Sequence, residues 1–507
     1  MNKTGLLFVT AVCLGLSIAP RGYAASTPSG CATRNNDTRS KLLECITEKN
    51  LWSHLEVFQR IADHHPDPAG HGNRDTGTRG YKSSVDYVAK LMREAGYDVT
   101  IQPYQWRHFG IDGLPVFEAA GQTFNLSHDW FVARLSGSGS LTAFVQPAND
   151  ASGCSRSDFA SFGRGRIALL KRGSCEYDTQ VENAERAGAS AVVIYNNAPS
   201  ADDVGRGHRD GRAFEARLSQ PAQIPVIGVV SYAVGAELLQ QSRAARPLSA
   251  HLDVHTRHKS DIDYNVIADS RFGDPDHIVV LEGHLDSIYG AGMLDNASGS
   301  TTMLEIALNM AHTHTRHRLR YIWFGGEEIG LLGSKFYTEN LTRKENRKIV
   351  FDIDADVTAT PNFALLVADP KNAWNADKFP PNVIPESRVG NQDFIDYFRS
   401  VGAVARNANN DGTDSNSFSL VGIPNTGIYT QQDCCKRPWE VALWGGFRGD
   451  FEGVVPGWHE GCVDTPHRWC DNLSNNDQFV FEFVSKAVAA VTLKLANDAS
   501  LDREKRP

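Results

Sequence analysis

Apolar residues along the chain recur in two periods, and each change of period marks an element. Leu51, Leu55, Phe58 and Ile61 share one face of a helix. Ser83 is a candidate cap for a helix through Glu94. Val85, Val88, Leu91 and Met92 would be its buried face, and Gly96 its stop. Tyr97 to Tyr104 alternates as a strand does. HIVVLEGHLDS reads as a buried strand with polar residues at its C-terminal end. A helix from Thr301 to His312, entered at Asp295–Ser298, comes next, then the strand RLRYIWFGG and a helix from about Glu328 to Tyr337. RKIVFDIDADV, NFALLVAD and VGIPNTGIYT give three more strands. Phe479 to Leu493 closes as a helix, with Val480, Phe483, Val484, Ala487, Val488 and Val491 inward. Strands alternating with helices predict an α/β domain of three α/β/α layers on a mainly parallel sheet. Such sheets bind ligands at the carboxyl ends of their strands.

Two stretches interrupt this pattern. Residues 26–50 are polar and loop-like until Lys41, and residues 64–80 are crowded with turn formers. His64, His65 and His71 in that second stretch read as a solvated loop, or else as a loop beside an active site. From about 131 to 253 the composition shifts to Gly, Ser and Ala, with short strand-like runs (LTAFVQP, RIALLKRG, AVVIYNN, IPVIGVV) and one helix at roughly Val181 to Ala187. The α/β domain is therefore expected as two parts, 31–130 and 254–497, with a β-rich unit at 131–253 inserted between them. A disordered tail is expected over 498–507.

Composition narrows the class. The chain has 507 residues, 41% hydrophobic and 22% charged, which suits a globular protein of two or three domains. A formal net charge of −9 argues against nucleic acid as a partner. No apolar run in the body reaches the ~20 residues of a membrane span. The N-terminus is different. Lys3, an apolar stretch from Gly5 to Pro20 and small residues up to Ala24 resemble a signal peptide cleaved after Ala24 or Ala25, which implies export, extracellular or periplasmic. Cys13 leaves with it. The eight remaining cysteines suit disulfides in an exported protein. Proximity favours Cys31–Cys45, Cys154–Cys175 and Cys462–Cys470. Cys434 and Cys435 would then form a vicinal bridge, or else reach Cys462 or Cys470 and displace the third pair.

The candidate chemistry lies between His284 and Leu332. Imidazole is a good zinc ligand, and Asp286, two residues on, is placed to accept its other ring N–H. A satisfied buried His–Asp pair is the plainer reading of those two alone. Asp295 in LDNASGS suits an ordinary helix N-cap or a carboxylate bridging two metals. Glu327 and Glu328 follow Gly325-Gly326 at the end of a buried strand. Adjacent acids there repel unless a cation joins them, and with a metal one can ligate while the other serves as general base.

Two resemblances extend this reading. Residues 131–253, with GC-SRSDF, GRIALLKRGSC, NAERAGASAVVIYNN and IPVIGVV in order, resemble the protease-associated domain, which implies a non-catalytic module shaping substrate access. GHLDS, LDNASG and GGEEIGLLGS at their spacings resemble the two-zinc metallo-aminopeptidases of the aminopeptidase Y and secreted bacterial leucyl aminopeptidase type, over about residues 40 to 495. That resemblance implies a zinc-exopeptidase fold, two zinc ions per chain with hydroxide between them, and peptide substrates with a free N-terminus. By position His284 is then a terminal ligand, Asp295 the bridge, Glu327 the general base and Glu328 a ligand. The carboxylate six residues before Asn362 is Asp356, with Asp352 and Asp354 as competitors of the same strand parity. The final ligand is His467 in PHRWCDNLSNN, with His459 as competitor. Pro466 stands where secreted bacterial members often carry a Tyr, so Tyr429 is a candidate for that donor. Asp414, in GTDSNSFSLVGIP, lines the substrate pocket or caps a helix. The rival readings are a carboxypeptidase or dipeptidase on this scaffold, with Arg437 and Arg448 as candidate cations, a single-zinc glutaminyl cyclase, and a non-catalytic binding protein.

Overall fold

The computed structural model describes residues 30–502 except 68–69, 127, 174, 198–210, 212, 289, 374, 410–411, 433–435, 450 and 452–470. Its strands are β1 (Asp98–Ile111), β2 (Val116–Ala119), β3 (Gln122–Thr123), β4 (Gly139–Pro147), β5 (Ile167–Lys171), β6 (Ala191–Tyr195), β7 (Val226–Val230) and β8 (Ser249–Val254). They continue as β9 (Thr256–Asp269), β10 (Asp274–His284), β11 (His317–Phe324), β12 (Ile349–Ala355), β13 (Leu366–Asp369), β14 (Arg406–Asn409) and β15 (Asn425–Tyr429). The helices are α1 (Arg39–Leu43), α2 (Glu48–His64), α3 (Arg79–Ala95), α4 (Tyr177–Ala187), α5 (Tyr232–Ser242) and α6 (Gly299–Met310). After them come α7 (Leu332–Glu339), α8 (Arg343–Lys348), α9 (Val383–Ser400), α10 (Ser415–Leu420), α11 (Pro438–Trp444) and α12 (Gln478–Leu495).

The larger sheet has eight strands in the order β1-β9-β11-β10-β12-β15-β13-β14. Its centre, β11-β10-β12-β15, is parallel, with antiparallel pairs on either side. The central strands are apolar almost throughout because helices cover both faces. One face packs Val279, Leu281, Phe351 and Ile353 against α2, α3, α6, α9 and α12. The other packs Val280, Ile322, Phe324 and Ile349 against α7 and α10 through Tyr337 and Phe418. The polar residues at the carboxyl ends of β10 and β12 thus meet at one edge of a dry layer.

The second sheet has seven strands in the order β3-β2-β8-β4-β5-β6-β7, with α4 and α5 and two apolar clusters of its own. β2 and β3 lie upstream of residue 131, where the middle unit was expected to begin, yet they belong to this sheet through β8. A second helix, α5, also joins the one expected. The two sheets are tied by a ribbon. β1 and β9 pair antiparallel over all 14 residues of each, from Asp98 against Asp269 to Ile111 against Thr256. Everything between Ile111 and Thr256 is inserted at the far end of that ribbon.

Several element boundaries differ from the sequence reading, among them the far end of β1, which runs to Ile111, and the start of α4, at Tyr177. α3 starts at Arg79, capped by the Thr78 hydroxyl rather than by Ser83, because Thr78 accepts from the Tyr81 N–H. α7 starts at Leu332, not Glu328. Gly326 and Gly330 adopt positive φ, so residues 327–331 form turns that hold both glutamates in the loop. A short helix, α1, precedes Glu44 in the stretch read as loop. The disulfides Cys31–Cys45 and Cys154–Cys175 are present as expected. The signal segment, Cys434, Cys435, Cys462, Cys470, His459, His467 and the DREKRP end from Arg503 lie outside the described residues. No helix among the described residues is long and apolar enough to cross a membrane.

A buried polar knot fixes the helix that follows Asp295. Glu305 of α6 accepts from the side-chain amides of Asn50 and Asn309, both at 2.9 Å, and lies 3.4 Å from His54 Nε2. Tyr87 of α3 meets His54 Nδ1 at 2.6 Å. Removing one member of such a buried network leaves its partners desolvated and unpaired. Glu305→Ala should therefore destabilise the protein by ~3–5 kcal/mol, read as a lowered urea midpoint. Lys82→Ala, at an exposed helix pair, should change it by no more than about 0.5 kcal/mol.

Candidate metal centre

Five side chains from four segments converge at the carboxyl edge of the parallel strands. His284 ends β10. Asp295 sits in the turn leading into α6, and Asp356 follows β12. Glu327 and Glu328 occupy the turns after β11. The potential ligand atoms of His284, Asp295 and Asp356 lie within 4.8 Å of one another, and so do those of His284, Glu327 and Glu328. The strand register explains why Asp356 joins this group while Asp352 and Asp354 do not. Val280 is level with Asp352 and Glu282 with Asp354, so the next inward residues upward are His284 and Asp356.

The ring of His284 is oriented by its own loop. Nδ1 lies 3.0 Å from the Asp286 carbonyl oxygen, which only accepts, so Nδ1 carries the hydrogen. Nε2 is thereby turned toward Asp295 Oδ1 at 3.1 Å and Asp356 Oδ1 at 3.5 Å. The Asp286 carboxylate, expected to orient the ring, stands 3.5 Å from Nδ1. It accepts instead from the Thr76 hydroxyl at 2.8 Å and from the Glu327 backbone N–H at 3.3 Å. It thus joins the His284 loop to the Glu327 turn.

The segment Arg74-Asp75-Thr76 is the part of the site that the sequence reading missed. Arg74 is fully buried, and its guanidinium donates to the carbonyls of Leu285, Ala291 and Gly292 at 2.7–2.8 Å. Asp75 accepts from the Ser287 hydroxyl. Thr76 Oγ1 accepts from the Gly326 N–H at 3.0 Å while donating to Asp286. Among the neighbouring histidines, His65 meets Ser83, His71 meets Asp67 and His64 meets the carbonyl of Arg60. The segment, not its histidines, faces the site. Its one sequence signal is three consecutive polar residues inside a turn-rich stretch.

Asn296 and Asp471 brace Asp295 from either side. The Asn296 amide donates to the Ala355 carbonyl and accepts from the Val357 N–H, so it clasps the residues flanking Asp356. A side chain at Gly299 would sit 1.9 Å from that same Ala355 oxygen, which explains the glycine. Asp471 is buried, and its two carboxylate oxygens accept from the backbone N–H groups of Leu294 and Asp295.

Electrostatics at this edge are one-sided. Burial disfavours charge on His284, yet the surrounding carboxylates, led by Asp356 and Glu327, hold its pKa well above the usual value. Burial pushes Glu327 well up, with the pull of His284 opposing and Glu328 adding to the rise. A second tier of acids lies below. Glu282, Asp352 and Asp354 are buried and raised, first by burial and then by one another. Asp414 stands at the N-cap position of α10, but its side chain makes no capping bond. Burial takes its carboxyl up to about 7, with His284 opposing. Tyr429 ends β15 and packs toward Ala364, Leu366 and Phe451.

These residues fit a cation. Asp356 Oδ1 is buried without a hydrogen-bond donor, and one imidazole cannot neutralise four carboxylates in a desolvated space. Mixed carboxylate and imidazole donors with such spacing suit zinc.

Comparison with known proteins agrees with the geometry. Residues 265–488 match the model of peptidase family M28, and residues 138–238 match the PA domain. An aminopeptidase of Pseudomonas aeruginosa is 31% identical over 490 residues, spanning 94% of this chain and 84% of that protein. The chain belongs to peptidase family M28. It is accordingly a metallopeptidase. Two solved structures share the fold. An aminopeptidase from Aneurinibacillus sp. strain AM-1 has a TM-score of 0.69 at 20% identity, covering 90% of this chain and 95% of that one. A zinc aminopeptidase from Bacillus subtilis has a TM-score of 0.59 at 24% identity, covering 89% and 95%.

Supporting hydrogen bonds of this kind are typically worth ~10–100-fold in metal affinity or activity. Thr76→Val should therefore weaken zinc retention against a chelator, or peptidase turnover, by about that factor. Thr76→Ser, which keeps the hydroxyl, should retain most of both.

Proposed function

We propose that this M28 peptidase is an exported zinc aminopeptidase. The observation that carries the reading is the convergence of His284, Asp295, Asp356, Glu327 and Glu328 at one buried edge. The Pseudomonas relative is named an aminopeptidase and the Bacillus structure a zinc aminopeptidase. In this reading His284, Asp295, Glu328, Asp356 and His467 would hold two zinc ions. Asp471, pinned to the backbone of Asp295, supports the role of His467 four residues upstream, since it anchors that end of the loop at the site. Residues 1–24 are a signal peptide in this reading, and residues 131–253 form the main part of the inserted module. The two disulfides support export.

When bound, the zinc ions supply Lewis acidity that polarises the scissile carbonyl and eases deprotonation of the attacking water. The remaining work falls to side chains. Glu327 takes the proton of the attacking water and returns it to the leaving amine. Its turn is held by Gly326, by the Asp286 carboxylate and, through both, by Thr76. Asp286 keeps the His284 loop in register with that turn. Asp414, buried beside this cluster of acids, is the proposed carboxylate of the substrate pocket, where a free α-amine would be held. Tyr429, at the carboxyl end of β15 beside β12, is the proposed further donor.

Metal content of the purified mature chain, measured by mass spectrometry beside leucyl-p-nitroanilide hydrolysis, tests this. About two zincs per chain, activity lost in chelator, and a fall of ~10²–10⁴-fold in Glu327→Gln at unchanged zinc content are expected. Two zincs without that hydrolysis would favour a carboxypeptidase or dipeptidase. A metal-free, inactive chain would leave a binding protein.

A further inference from the structure

Among the described residues of the inserted module, Arg217 reaches the metal centre. Residues 214–218 (Phe-Glu-Ala-Arg-Leu) alternate, with Phe214, Ala216 and Leu218 in the module's core and Glu215 and Arg217 turned away from it. The strip is fixed by backbone bonds on both sides. The Phe214 and Ala216 N–H groups donate to the carbonyls of Val229 and Gly228, and the Arg134 N–H donates to Ala216. Arg217 leaves this rigid strip and brings a guanidinium nitrogen to 3.6 Å from Glu328 Oε2, across the boundary between the two sheets. Glu328 is its one carboxylate partner among the described residues.

A guanidinium has five donors in a planar fork, and 3.6 Å is an ion-pair separation rather than a hydrogen bond. The Arg217 side chain is 37% exposed, so its guanidinium stands at the metal centre without being enclosed by it. A cation there repels a substrate's α-amine and attracts a carboxylate, which it can take bidentately. We infer that Arg217 is a specificity-determining residue. It receives a carboxylate borne by the substrate beyond the scissile bond, away from the α-amine. That carboxylate is either the C-terminus of a short peptide or an acidic side chain at the second position. The inference rests on the aminopeptidase reading and adds the substrate class: short or acidic peptides over blocked, neutral ones.

Two substrate pairs test it in the full-length, zinc-loaded enzyme. Leu-Gly against Leu-Gly-amide isolates the C-terminal carboxylate, and Leu-Glu-amide against Leu-Gln-amide isolates the side chain. The wild type should prefer the carboxylate-bearing member of at least one pair, and the responding pair identifies the source. Arg217→Gln should shrink that preference about tenfold, mainly through KM. Arg217→Lys should keep part of it. Arg217→Glu should turn the selectivity toward Leu-Lys-amide, a gain that structural damage would not produce. Equal preferences in the wild type, Arg217→Gln and Arg217→Glu would overturn the inference while leaving the aminopeptidase reading intact. A wild type that cleaves none of these substrates would overturn both.

Discussion

Buried negative charge of one sign is the constraint on which the rest of this structure depends. Four carboxylates and one imidazole meet at the edge of the central sheet, and four further acids, Glu282, Asp352, Asp354 and Asp414, stand beneath or beside them. Each would gain free energy by reaching water or by taking a proton. The fold denies them water with apolar layers on both faces of β10 and β12. It holds them against their repulsion with fixed backbone. Asn296 clasps the strand end at Asp356, Asp471 holds the turn at Asp295, and Arg74 gathers three carbonyls of the loop after His284. Asp471 and Arg74 come from opposite ends of the sequence, and Asn296 from its middle. The centre is thus assembled only when these distant segments of the chain have come together.

This arrangement also explains which residues had to be small. Gly299 lies where a methyl group would strike the Ala355 carbonyl, and Gly325 where it would strike the Tyr81 hydroxyl. Gly299 brings the start of α6 against the strand end that precedes Asp356, and Gly325 brings the backbone just before Glu327 against the Tyr81 side chain of α3.

How far the sequence disclosed this differs by the kind of signal. Residues that end strands announce themselves, because an apolar run must stop for a polar group to appear. His284, Glu327 and Glu328 were legible for that reason. Asp356 was ambiguous among three acids of equal parity, because parity tells face and not height. Only the pairing of β10 with β12 supplies the height. The N-terminal bracket Arg74–Thr76 was opaque for a different reason. Its side chains satisfy backbone groups more than 200 residues away, and such bonds leave no periodicity in either partner. The boundaries of α3 and α7 were misread because Ser83 and Glu328 are good first-turn residues by type, whereas Thr78 and the positive-φ glycines decide by geometry. Arg217 was opaque, because its partner Glu328 lies in a turn more than 100 residues away and the pair leaves no local pattern.

The ribbon of β1 and β9 has a consequence for how the two sheets move. The insertion enters after Ile111 and leaves at Thr256, and these two residues are partners in one ladder. To the peptidase domain the whole insertion is therefore the tip of a hairpin, joined through a doorway one residue pair wide. Sliding along the ribbon would break every rung together, so the soft motions left are bending and twisting of a two-stranded lever. Four β9 residues, Val266 to Asp269, are also laddered to β11, so the free lever is the ten pairs beyond them, about 33 Å at ~3.3 Å per residue. A small angular change along it would displace Arg217 relative to Glu328. The placement of Arg217 beside Glu328 is then a mechanical coordinate, tied to the flexural stiffness of a single ribbon.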